Sequence, residues 1–318
     1  MRRLFLGLAL SGASALACAQ AWPTKPLRLV MGFTPGGAAE AVARTFNRPL
    51  EQALGQPLVF DYRPGAGATI GADHVAKSAP DGYTLHLIDN GPLTMAPHFR
   101  KLPYDALTAF TPIAMVAVGG TVVVAHPSFP AKDLKELVAL AAKAPGKYSY
   151  GTSAIGGAGH LAGELFSNVA RIELTHVPYR GGGPAIQDLL GNQVPLLFSS
   201  LGAAMPQIRA GKIRAIAVSS PRRAAALPDT PTFAESGIVG ADSLAWFMLV
   251  APAGLPADLT TRISQAMTRI LDDKTTVDAM RAQGYDPQIL TPAEAARTLR
   301  TDYERWGKVI RDGNIKAD

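Results

Sequence analysis

The order of patterns along the 318-residue chain predicts an α/β fold of two lobes, each built on a doubly wound parallel sheet. Short segments rich in β-branched and aromatic residues, bounded by Pro, Gly or Asp, alternate with segments of helical periodicity. Two longer apolar stretches, residues 111–127 and 243–254, are typical of extended strands that cross between domains. An apolar content of 47% over this length suffices for two hydrophobic cores.

The N-terminus has the pattern of an export signal rather than of a membrane span. Two arginines precede a short apolar run, residues 4–17, whereas a spanning helix needs about 20 apolar residues. Small residues near its end fit cleavage after residue 19, so residues 1–19 are predicted to be a signal peptide and the mature protein to be periplasmic and soluble. The less favoured alternative is a lipoprotein acylated on Cys18, because Ala15 lies where such sites usually have leucine.

The composition excludes several classes of function for the mature chain. Cys18 is the only cysteine, so its removal with the signal leaves no thiol for a disulfide scaffold, a thiolate metal site or a cysteine nucleophile. The net charge is +6 at pH 7, but the basic residues are scattered and form no run with interleaved aromatics. We therefore expect no nucleic-acid partner and only a weak general attraction for small anions.

The two crossings determine the predicted domain organisation. The first contains Gly119-Gly120, which predicts a break in an otherwise extended segment. Running side by side, the crossings would form a hinge, and the second would return the chain to the first lobe for its C-terminal helices. The predicted organisation is a signal peptide, residues 1–19, then lobe 1, residues 22–120 and 225–318, and lobe 2, residues 121–224.

Shorter strands alternate with helices in both predicted lobes. The predicted strands are residues 27–33, 57–62 and 83–89 in lobe 1, and residues 147–153, 171–179, 193–200 and 212–220 in lobe 2. The clearest helical faces consist of Leu134, Leu137, Val138 and Ala141 and, near the C-terminus, of Leu299, Tyr303, Trp306 and Ile310. Regular alternation with short loops favours parallel sheets with helices on both faces.

The segments that follow the predicted strands are rich in glycine and hydroxyl residues. They are residues 34–37, 151–154, 180–184 and 199–200. Ligands of open α/β sheets lie outside the carboxyl ends of the strands. Backbone N–H groups and hydroxyls are hydrogen-bond donors, and helix N-termini favour anions. The pattern predicts an anion-binding cleft between the lobes rather than a set of catalytic acids and bases.

Three other chemistries have weaker support in the sequence. The turn at residues 32–41 lacks the Gly-Lys-Ser/Thr ending of a phosphate loop and the spaced glycines of a dinucleotide site. A secreted serine hydrolase would use Ser153, but Ile155 stands where the nucleophile elbow has its second glycine. The six histidines show no paired spacing for a metal, and a structural role is favoured for His160. We expect no catalytic residues, no metal and no cofactor.

Several segments, taken in order, resemble the substrate-binding receptors of tripartite tricarboxylate transporters, the Bug-type family of periplasmic proteins. They are WPTKPLRLVMGFTPGG (22–37), DYRPGAGATIGADHVAKSAPDGYTL (61–85), LPYDALTAFTPIA (102–114), HLAGELF (160–166), THVPYRGGGPAIQDLLGNQV (175–194), IRAGKIRAIAVSSPRRAAALPDTPTFAESG (208–237), WFMLVAPAGLP (246–256) and RWGKVIRDGNIKAD (305–318). The resemblance extends over essentially the whole mature chain and implies a two-lobed, type II periplasmic binding-protein fold. It implies a receptor that closes on a small organic anion, typically a carboxylate, without catalysis. Its partner would be a membrane permease or, alternatively, a signalling protein, and we expect a monomer.

The resemblance also implies which residues bind the ligand, largely through backbone N–H groups, hydroxyls and ordered waters. The first group follows the first strand and consists of Phe33, Thr34, Pro35, Gly36, Gly37 and Ala38. The second group belongs to lobe 2 and consists of Gly151, Thr152, Ser153, Tyr179, Gly181 and Gly182. Asn90, Ser199 and Ser200, at further strand ends, complete the predicted site.

Three positions depart from the pattern of the family. Glu40 stands where the family usually has an aspartate three residues after Gly-Gly, and Ser199 stands where a strand of lobe 2 usually ends in an acid. The third strand runs into Asp89-Asn90 instead of small residues, and Asp89 would repel a carboxylate unless it points away or accepts from an amine or hydroxyl. These departures leave succinate-like diacids, citrate, amino acids, aromatic acids and nicotinate-like compounds open as ligands.

Overall fold

The computed structural model describes residues 22–316, so the predicted signal peptide and Cys18 lie outside the described residues. The strands are, in chain order, β1 (Leu27–Met31), β2 (Leu58–Tyr62), β3 (Thr84–Asp89), β4 (Phe110–Ala125), β5 (Ser149–Thr152), β6 (Thr175–Pro178), β7 (Leu196–Ser200), β8 (Arg214–Val218), β9 (Leu244–Pro252) and β10 (Asp286–Pro287). All nine strands predicted from the sequence are present, most of them shorter than predicted because their flanking residues form turns.

The helices occupy the intervals between these strands. They are α1 (Ala38–Leu54), α2 (Thr69–Ala76), α3 (Leu134–Lys143), α4 (Ala158–Ala170), α5 (Gly182–Leu190), α6 (Leu201–Arg209), α7 (Ala257–Asp272), α8 (Lys274–Ala282) and α9 (Pro292–Asp312). A π-helical turn, Gly91–Met95, and a 3-10 turn, Ala96–His98, follow β3. Over residues 22–316, every helix is too short or too polar to cross a membrane.

The sheet of lobe 1 has the strand order β2-β1-β3-β9-β4. Strand β1 pairs in parallel with β2 and β3, but β9 is antiparallel to both β3 and β4. The sheet of lobe 2 has the order β4-β7-β5-β6, in which β5 is parallel to its neighbours and β4 is antiparallel to β7 and β8. The sheets are mixed rather than parallel throughout, because the crossing strands add antiparallel pairs to the parallel strands predicted for both lobes.

Strand β4 passes through both sheets without interruption. It pairs with β9 as far as Gly120 and with β7 from Thr121 onward, so the two crossing strands run side by side at the boundary between the sheets. The predicted break at Gly119-Gly120 is absent from this described strand. The glycines instead admit close neighbours, because a Cβ would lie 2.7 Å from the Tyr285 ring at Gly119 and 2.8 Å from the Ser220 hydroxyl at Gly120.

Each sheet buries its own hydrophobic core. Helix α1 places Val42, Phe46 and Leu50 on one face against lobe 1, and each of these side chains is fully buried. In lobe 2, Phe166 of α4 packs against Phe198 of β7. Burial of a large apolar side chain contributes about 1.5–3 kcal/mol, so these contacts hold the helices, and with them the loops at their N-termini, in fixed positions.

The C-terminal helix α9 contacts both lobes. Trp306 and Ile310 share a buried cluster with Met95 of lobe 1 and Leu161 of α4 in lobe 2. The α9 residues are therefore not confined to lobe 1 in their packing, although the predicted domain boundaries themselves remain a prediction. We keep the names lobe 1 and lobe 2 for the residue ranges defined above.

Candidate functional site

A cavity lies where the two sheets meet, bordered by both lobes. Its volume is about 50 Å³. The lining residues are Phe33, Gly37, Ala38, Ala39, Asp89, Thr121, Thr152, Ser153, Ala158, Gly159, Gly182, Ala185, Leu197, Phe198, Ser199, Ser200, Ala245 and Phe247. A space of this size and composition fits a small organic molecule rather than a nucleotide.

Lobe 1 contributes the N-terminus of α1 to the cavity. Gly37 is the N-cap residue, and its backbone leaves the first turn without a side-chain cap. Glu40 turns back towards its own loop, where its carboxylate accepts from the Gly36 N–H at 2.8 Å and from the Arg44 Nε at 2.7 Å. Although burial opposes the charge, these hydrogen bonds hold the pKa of Glu40 below its usual value. Glu40 therefore stabilises the loop and does not line the cavity.

Lobe 2 contributes three further helix N-termini. Helices α4, α5 and α6 begin at Ala158, Gly182 and Leu201, and their N-cap residues are Gly157, Gly181 and Ser200. As in α1, no side chain caps these helices, although residues of their first turns or caps line the cavity. Of the five other helices described, α3, α8 and α9 have a side-chain cap, from Asp133, Asp273 and Thr291 respectively, whereas α2 and α7 have none.

The convergence of four uncapped helix N-termini gives the cavity its electrostatic character. Each N-terminus carries a partial positive charge and N–H groups without helical partners. An anion in the cavity would satisfy these groups, and such sites bind carboxylate or phosphate without a basic side chain. Neither Lys nor Arg is among the lining residues found in the described part of the chain.

The hydroxyl of Thr152 is engaged behind the cavity wall. Its Oγ1 lies 2.7 Å from His176 Nε2 and 3.1 Å from the Ala154 carbonyl, so it is not free to hold a ligand. The His176 ring stacks on His160, whose Nδ1 accepts from the Gly156 N–H at 3.2 Å. Burial lowers the pKa of both imidazoles, and the charge that His160 would carry lowers that of His176 further. The pair is neutral at pH 7 and supports the loop.

Two loops of lobe 2 are joined by backbone hydrogen bonds. The Tyr179 N–H donates to the Thr152 carbonyl, and the Gly181 N–H donates to the Ser153 carbonyl, each at 2.9 Å. The Thr34 hydroxyl of lobe 1 reaches the Arg180 carbonyl of lobe 2 at 3.4 Å. The lobes thus contact each other in front of the cavity, and Gly181 links the loops instead of facing the cavity.

Asp89 is the acidic residue among those that line the cavity. It ends strand β3 and pairs in register with Phe247 of β9, so its side chain lies on the cavity floor. Its Oδ1 is buried and has no hydrogen-bond partner in the described residues. Burial raises the pKa of Asp89 to about 7, because desolvation disfavours the charged form.

Asn90 lies behind the cavity floor rather than on it. The side chain is fully buried and donates to the Leu244 carbonyl at 3.0 Å. Thr94 then connects the Asn90 carbonyl to Asp302 of α9, and Asp302 also accepts from the Trp246 indole at 2.9 Å. This network fixes β3, β9 and α9 relative to one another, and so fixes the position of Asp89.

The structure divides the residues predicted for the site into two sets. Those that line the cavity are Phe33, Gly37, Ala38, Thr152, Ser153, Gly182, Ser199 and Ser200. Those outside its lining are Thr34, Pro35, Gly36, Asn90, Gly151, Tyr179 and Gly181. Tyr179 lines an adjoining outer cleft of about 210 Å³ together with Phe33, Ser153, Arg100 and Arg180. That any of these residues binds the ligand stays a prediction.

Sequence reasoning missed the cavity floor. Thr121, Ala245 and Phe247 belong to the crossing strands, which were predicted as a hinge but not as part of the site. The two predicted crossings could have indicated this floor, because strands that cross between two lobes must pass beneath the cleft between them. Ala158 and Gly159 were also missed, although they open the helix that follows a predicted site loop.

The geometry does not supply a catalytic serine. His160 accepts from a backbone N–H and His176 contacts Thr152, and among the described residues no hydrogen bond joins either ring to Ser153. Within residues 22–316 no cluster of three His, Cys, Asp or Glu side chains is arranged to hold a metal ion. The arrangement can bind and enclose a small anion, but its residues are not placed to activate a nucleophile.

Comparison with known proteins agrees with these features. Residues 42–315 match the sequence profile described as "Tripartite tricarboxylate transporter family receptor". The chain is 34% identical over 311 residues to Protein BugT of Bordetella pertussis, a match that covers 97% of this chain and 95% of BugT.

Two solved structures show the same fold. One, described as a periplasmic transporter, has a TM-score of 0.91 and 40% identity, and covers 94% of this chain and 100% of its own. The other is R. palustris Rpa4515 with adipate, which has a TM-score of 0.90 and 33% identity, and covers 93% of this chain and 99% of its own. The chain therefore has the two-lobed fold of periplasmic binding proteins, as expected from the sequence.

Proposed function

The chain belongs to the tripartite tricarboxylate transporter receptor family, and we propose that it binds a small organic carboxylate in the cavity between its lobes. The protein acts in the periplasm and delivers its ligand to a transporter of the tripartite tricarboxylate type, without a catalytic step. The observation that carries this proposal is the convergence of the uncapped N-termini of α1, α4, α5 and α6 on one cavity. The adipate complex of Rpa4515 supports a carboxylate as the ligand class.

A carboxylate suits this cavity better than a phosphate ester. The positive potential comes only from helix termini, each equivalent to about half an elementary charge. Since no basic side chain or metal cluster supplements them in the described lining, a dianionic phosphate would be less well compensated than a carboxylate. Phe33, Phe198 and Phe247 supply apolar surface for the carbon skeleton of the ligand.

Ligand binding would stabilise contact between the lobes. A carboxylate held by Gly37 and Ala38 of lobe 1 and by Gly182 of lobe 2 adds hydrogen bonds across the cleft. The Thr34–Arg180 contact already joins the same two loops. Strands β4 and β9 form the connection about which the lobes would open and close. The closed surface is what a transporter subunit would recognise.

Thermal unfolding with a panel of organic acids tests the proposal. The panel contains mono-, di- and tricarboxylates and amino acids, with the matching sulfonates and phosphate as controls. A ligand at 100 times its Kd should stabilise the protein by about 2.7 kcal/mol. If no carboxylate raises the Tm of protein freed of bound ligand by unfolding and refolding, the proposal is wrong.

A pair of nearly isosteric variants tests whether the positive potential of the helix N-termini binds the carboxylate. Ser200→Asp places a carboxylate at the N-cap of α6 on the cavity wall, whereas Ser200→Asn places an amide of the same shape there. Both side chains can cap the helix, so both variants should fold. Two like charges about 5 Å apart repel by about 3 kcal/mol at an effective dielectric constant of 20. We therefore expect Ser200→Asp to weaken carboxylate binding about 100-fold and Ser200→Asn to weaken it only a few-fold.

A further inference from the structure

Asp89 is not explained by the binding of a plain carboxylate. It lies on the floor of a cavity whose other polar side chains are the hydroxyls of serine and threonine, and its Oδ1 is buried without a hydrogen-bond partner among the described residues. No ion pair found within residues 22–316 involves it. The side chain is partly exposed towards the cavity, and leaving a buried carboxylate oxygen without a partner is costly. A donor that enters the cavity would supply that partner.

We infer that Asp89 accepts a hydrogen bond from a protonated amine of the ligand, so that the receptor selects amino-bearing carboxylates over plain carboxylic acids. This inference rests on the proposed function, and it names the ligand class for the same cavity. The cavity thus has a positive end and a negative end. The helix N-termini of both lobes hold the carboxylate of a zwitterion, and Asp89 holds its ammonium group.

The position of Asp89 is fixed by its neighbours. Its strand pairs with β9 through Asp89 and Phe247, and the buried network of Asn90, Asp302 and Trp246 ties the following turn to α9 and β9. The side chain cannot swing away into solvent without disturbing this packing. A ligand that fills the cavity will therefore lie within reach of the Asp89 carboxylate.

Residues 22–316 offer no counter-charge to Asp89. The titratable groups that interact with it electrostatically are the phenols of Tyr104 and Tyr285, and burial raises the pKa of both, that of Tyr285 to about 12. Asp302, behind Asn90, has a pKa raised by burial and is occupied by Trp246 and Thr94. Of the described residues that line the cavity, none is basic. An ammonium group would supply the missing positive charge.

The pH dependence of binding distinguishes an amine from other partners. With a pKa of about 7, Asp89 is protonated in part of the empty receptor near neutral pH. Only its ionised form pairs with an ammonium group, so amino-acid affinity should rise as the pH increases through 7. A plain diacid would show the opposite trend, because it would bind best while Asp89 is neutral and able to donate a proton to a hydrogen bond.

The experiment compares amino acids with their deaminated counterparts by titration calorimetry. The probe pairs are L-aspartate with succinate, L-glutamate with glutarate and L-2-aminoadipate with adipate. For at least one pair we expect the amino acid to bind about 10–100-fold more tightly at pH 8, the range expected for a hydrogen bond between charged groups. In Asp89→Asn the preference should fall to about threefold or less, and the pH dependence between about pH 6 and 8 should be lost. Asp229→Asn changes an exposed acid outside the cavity lining and should retain the preference.

Failure of this inference and failure of the proposed function have different signatures. The inference is wrong if the deaminated acids bind as tightly as the amino acids, or if Asp89→Asn leaves the preference unchanged. It is also wrong if the affinity for the amino acid falls as the pH rises from about 6 to 8. If none of the six probes and no member of the wider panel binds, the proposed function itself fails.

Discussion

The two walls of the cavity have different chemistry. Lobe 2 supplies the N-termini of α4, α5 and α6 and the hydroxyls of Ser153, Ser199 and Ser200, and none of its residues that line the described cavity is acidic. Lobe 1 supplies the N-terminus of α1 together with Asp89 on the floor. The comparison suggests a division of roles, in which lobe 2 holds the anionic group and lobe 1 discriminates between ligands.

The largest expected effect comes from disturbing the tightly packed wall. A Cβ at Gly159 would lie 2.3 Å from the Phe198 carbonyl oxygen, so Gly159→Ala must push α4 away from β7. At Gly37 of lobe 1 the nearest atom to an added Cβ is 3.6 Å away, so Gly37→Ala meets no clash. Overpacking typically costs about 1–3 kcal/mol.

The measurements for this pair are urea unfolding and titration with the best carboxylate of the panel. Gly159→Ala should lose about 2–3 kcal/mol of stability and weaken binding at least about 10-fold. Gly37→Ala should lose no more than about 1 kcal/mol, because it meets no clash but alanine is a poorer N-cap residue than glycine. Equal losses of stability in the two variants would contradict the difference in packing between the two walls.

The next effect is the change in folding stability on acidification. His176 of lobe 2 should lower the stability as the pH falls, whereas Asp89 of lobe 1 should raise it. Burial lowers the pKa of His176, so its contribution to stability is complete above the unfolded value of 6.5 and declines as the pH falls below it. Burial raises the pKa of Asp89 from 3.8 to about 7, so its neutral form stabilises the ligand-free protein more as the pH falls from 7. One pH unit corresponds to about 1.4 kcal/mol for one proton. Between pH 7 and pH 5 the protein should therefore lose about 2 kcal/mol of stability through His176 and gain about 2 kcal/mol through Asp89.

Urea unfolding of the ligand-free protein at about pH 7 and pH 5 measures the pH dependence that His176 and Asp89 each contribute to stability. The His176→Gln variant should lose less stability on acidification than the parent, and Asp89→Asn should lose more. A shift of the same sign in both variants would show that one of the two pKa directions is wrong.

A smaller effect is expected from the loop of lobe 1. Glu40 is 8% exposed and holds the Gly36 N–H and the Arg44 guanidinium, so Glu40→Gln replaces charged hydrogen bonds by neutral ones. We expect a loss of about 1–2 kcal/mol at neutral pH. Because the folded pKa of Glu40 is lowered, its contribution is complete above 4.5 and declines as the pH falls through the folded pKa. Urea unfolding should show the stabilities of variant and parent converging as the pH falls below 4.5, and a constant difference would contradict this role.

The smallest effect is expected at the outer cleft. Arg100 of lobe 1 and Arg180 of lobe 2 line it, and Arg180 is exposed. Arg180→Gln should lower the association rate of an anionic ligand by no more than about threefold at low salt, and the difference should vanish in about 0.5 M NaCl. Stopped-flow fluorescence measures this rate, with Arg222→Gln, an exposed position of the same lobe, as the control. A large loss of equilibrium affinity would show that Arg180 clamps the ligand directly.

Much of the fold followed from local sequence patterns. The short strands, the helical faces of α3 and α9 and the paired crossings depend on periodicity and turn residues, which act within a few positions. The antiparallel pairing of β9 and the uninterrupted passage of β4 through Gly119-Gly120 depend on contacts between distant segments. Tyr285, which packs against Gly119, lies more than 160 residues away in the chain.

The site could be predicted only as a set of loops. Strand ends indicated where Phe33, Ser153 and Gly182 lie, and the structure places all three on the cavity. Whether a loop residue faces the cavity depends on hydrogen bonds that the sequence does not display, as for Gly181, whose N–H is bound to the Ser153 carbonyl. The orientation of Asp89 depends likewise on its register with Phe247.

The most direct test of the central claim is a crystal structure of the protein with its tightest-binding carboxylate. The account predicts carboxylate oxygens within about 3 Å of N–H groups at the starts of α1 and α5, and an amine nitrogen within about 3 Å of Asp89. A ligand carboxylate against Asp89 would contradict the assigned polarity of the cavity. A ligand held only by Arg100 and Arg180 in the outer cleft would contradict the proposed site.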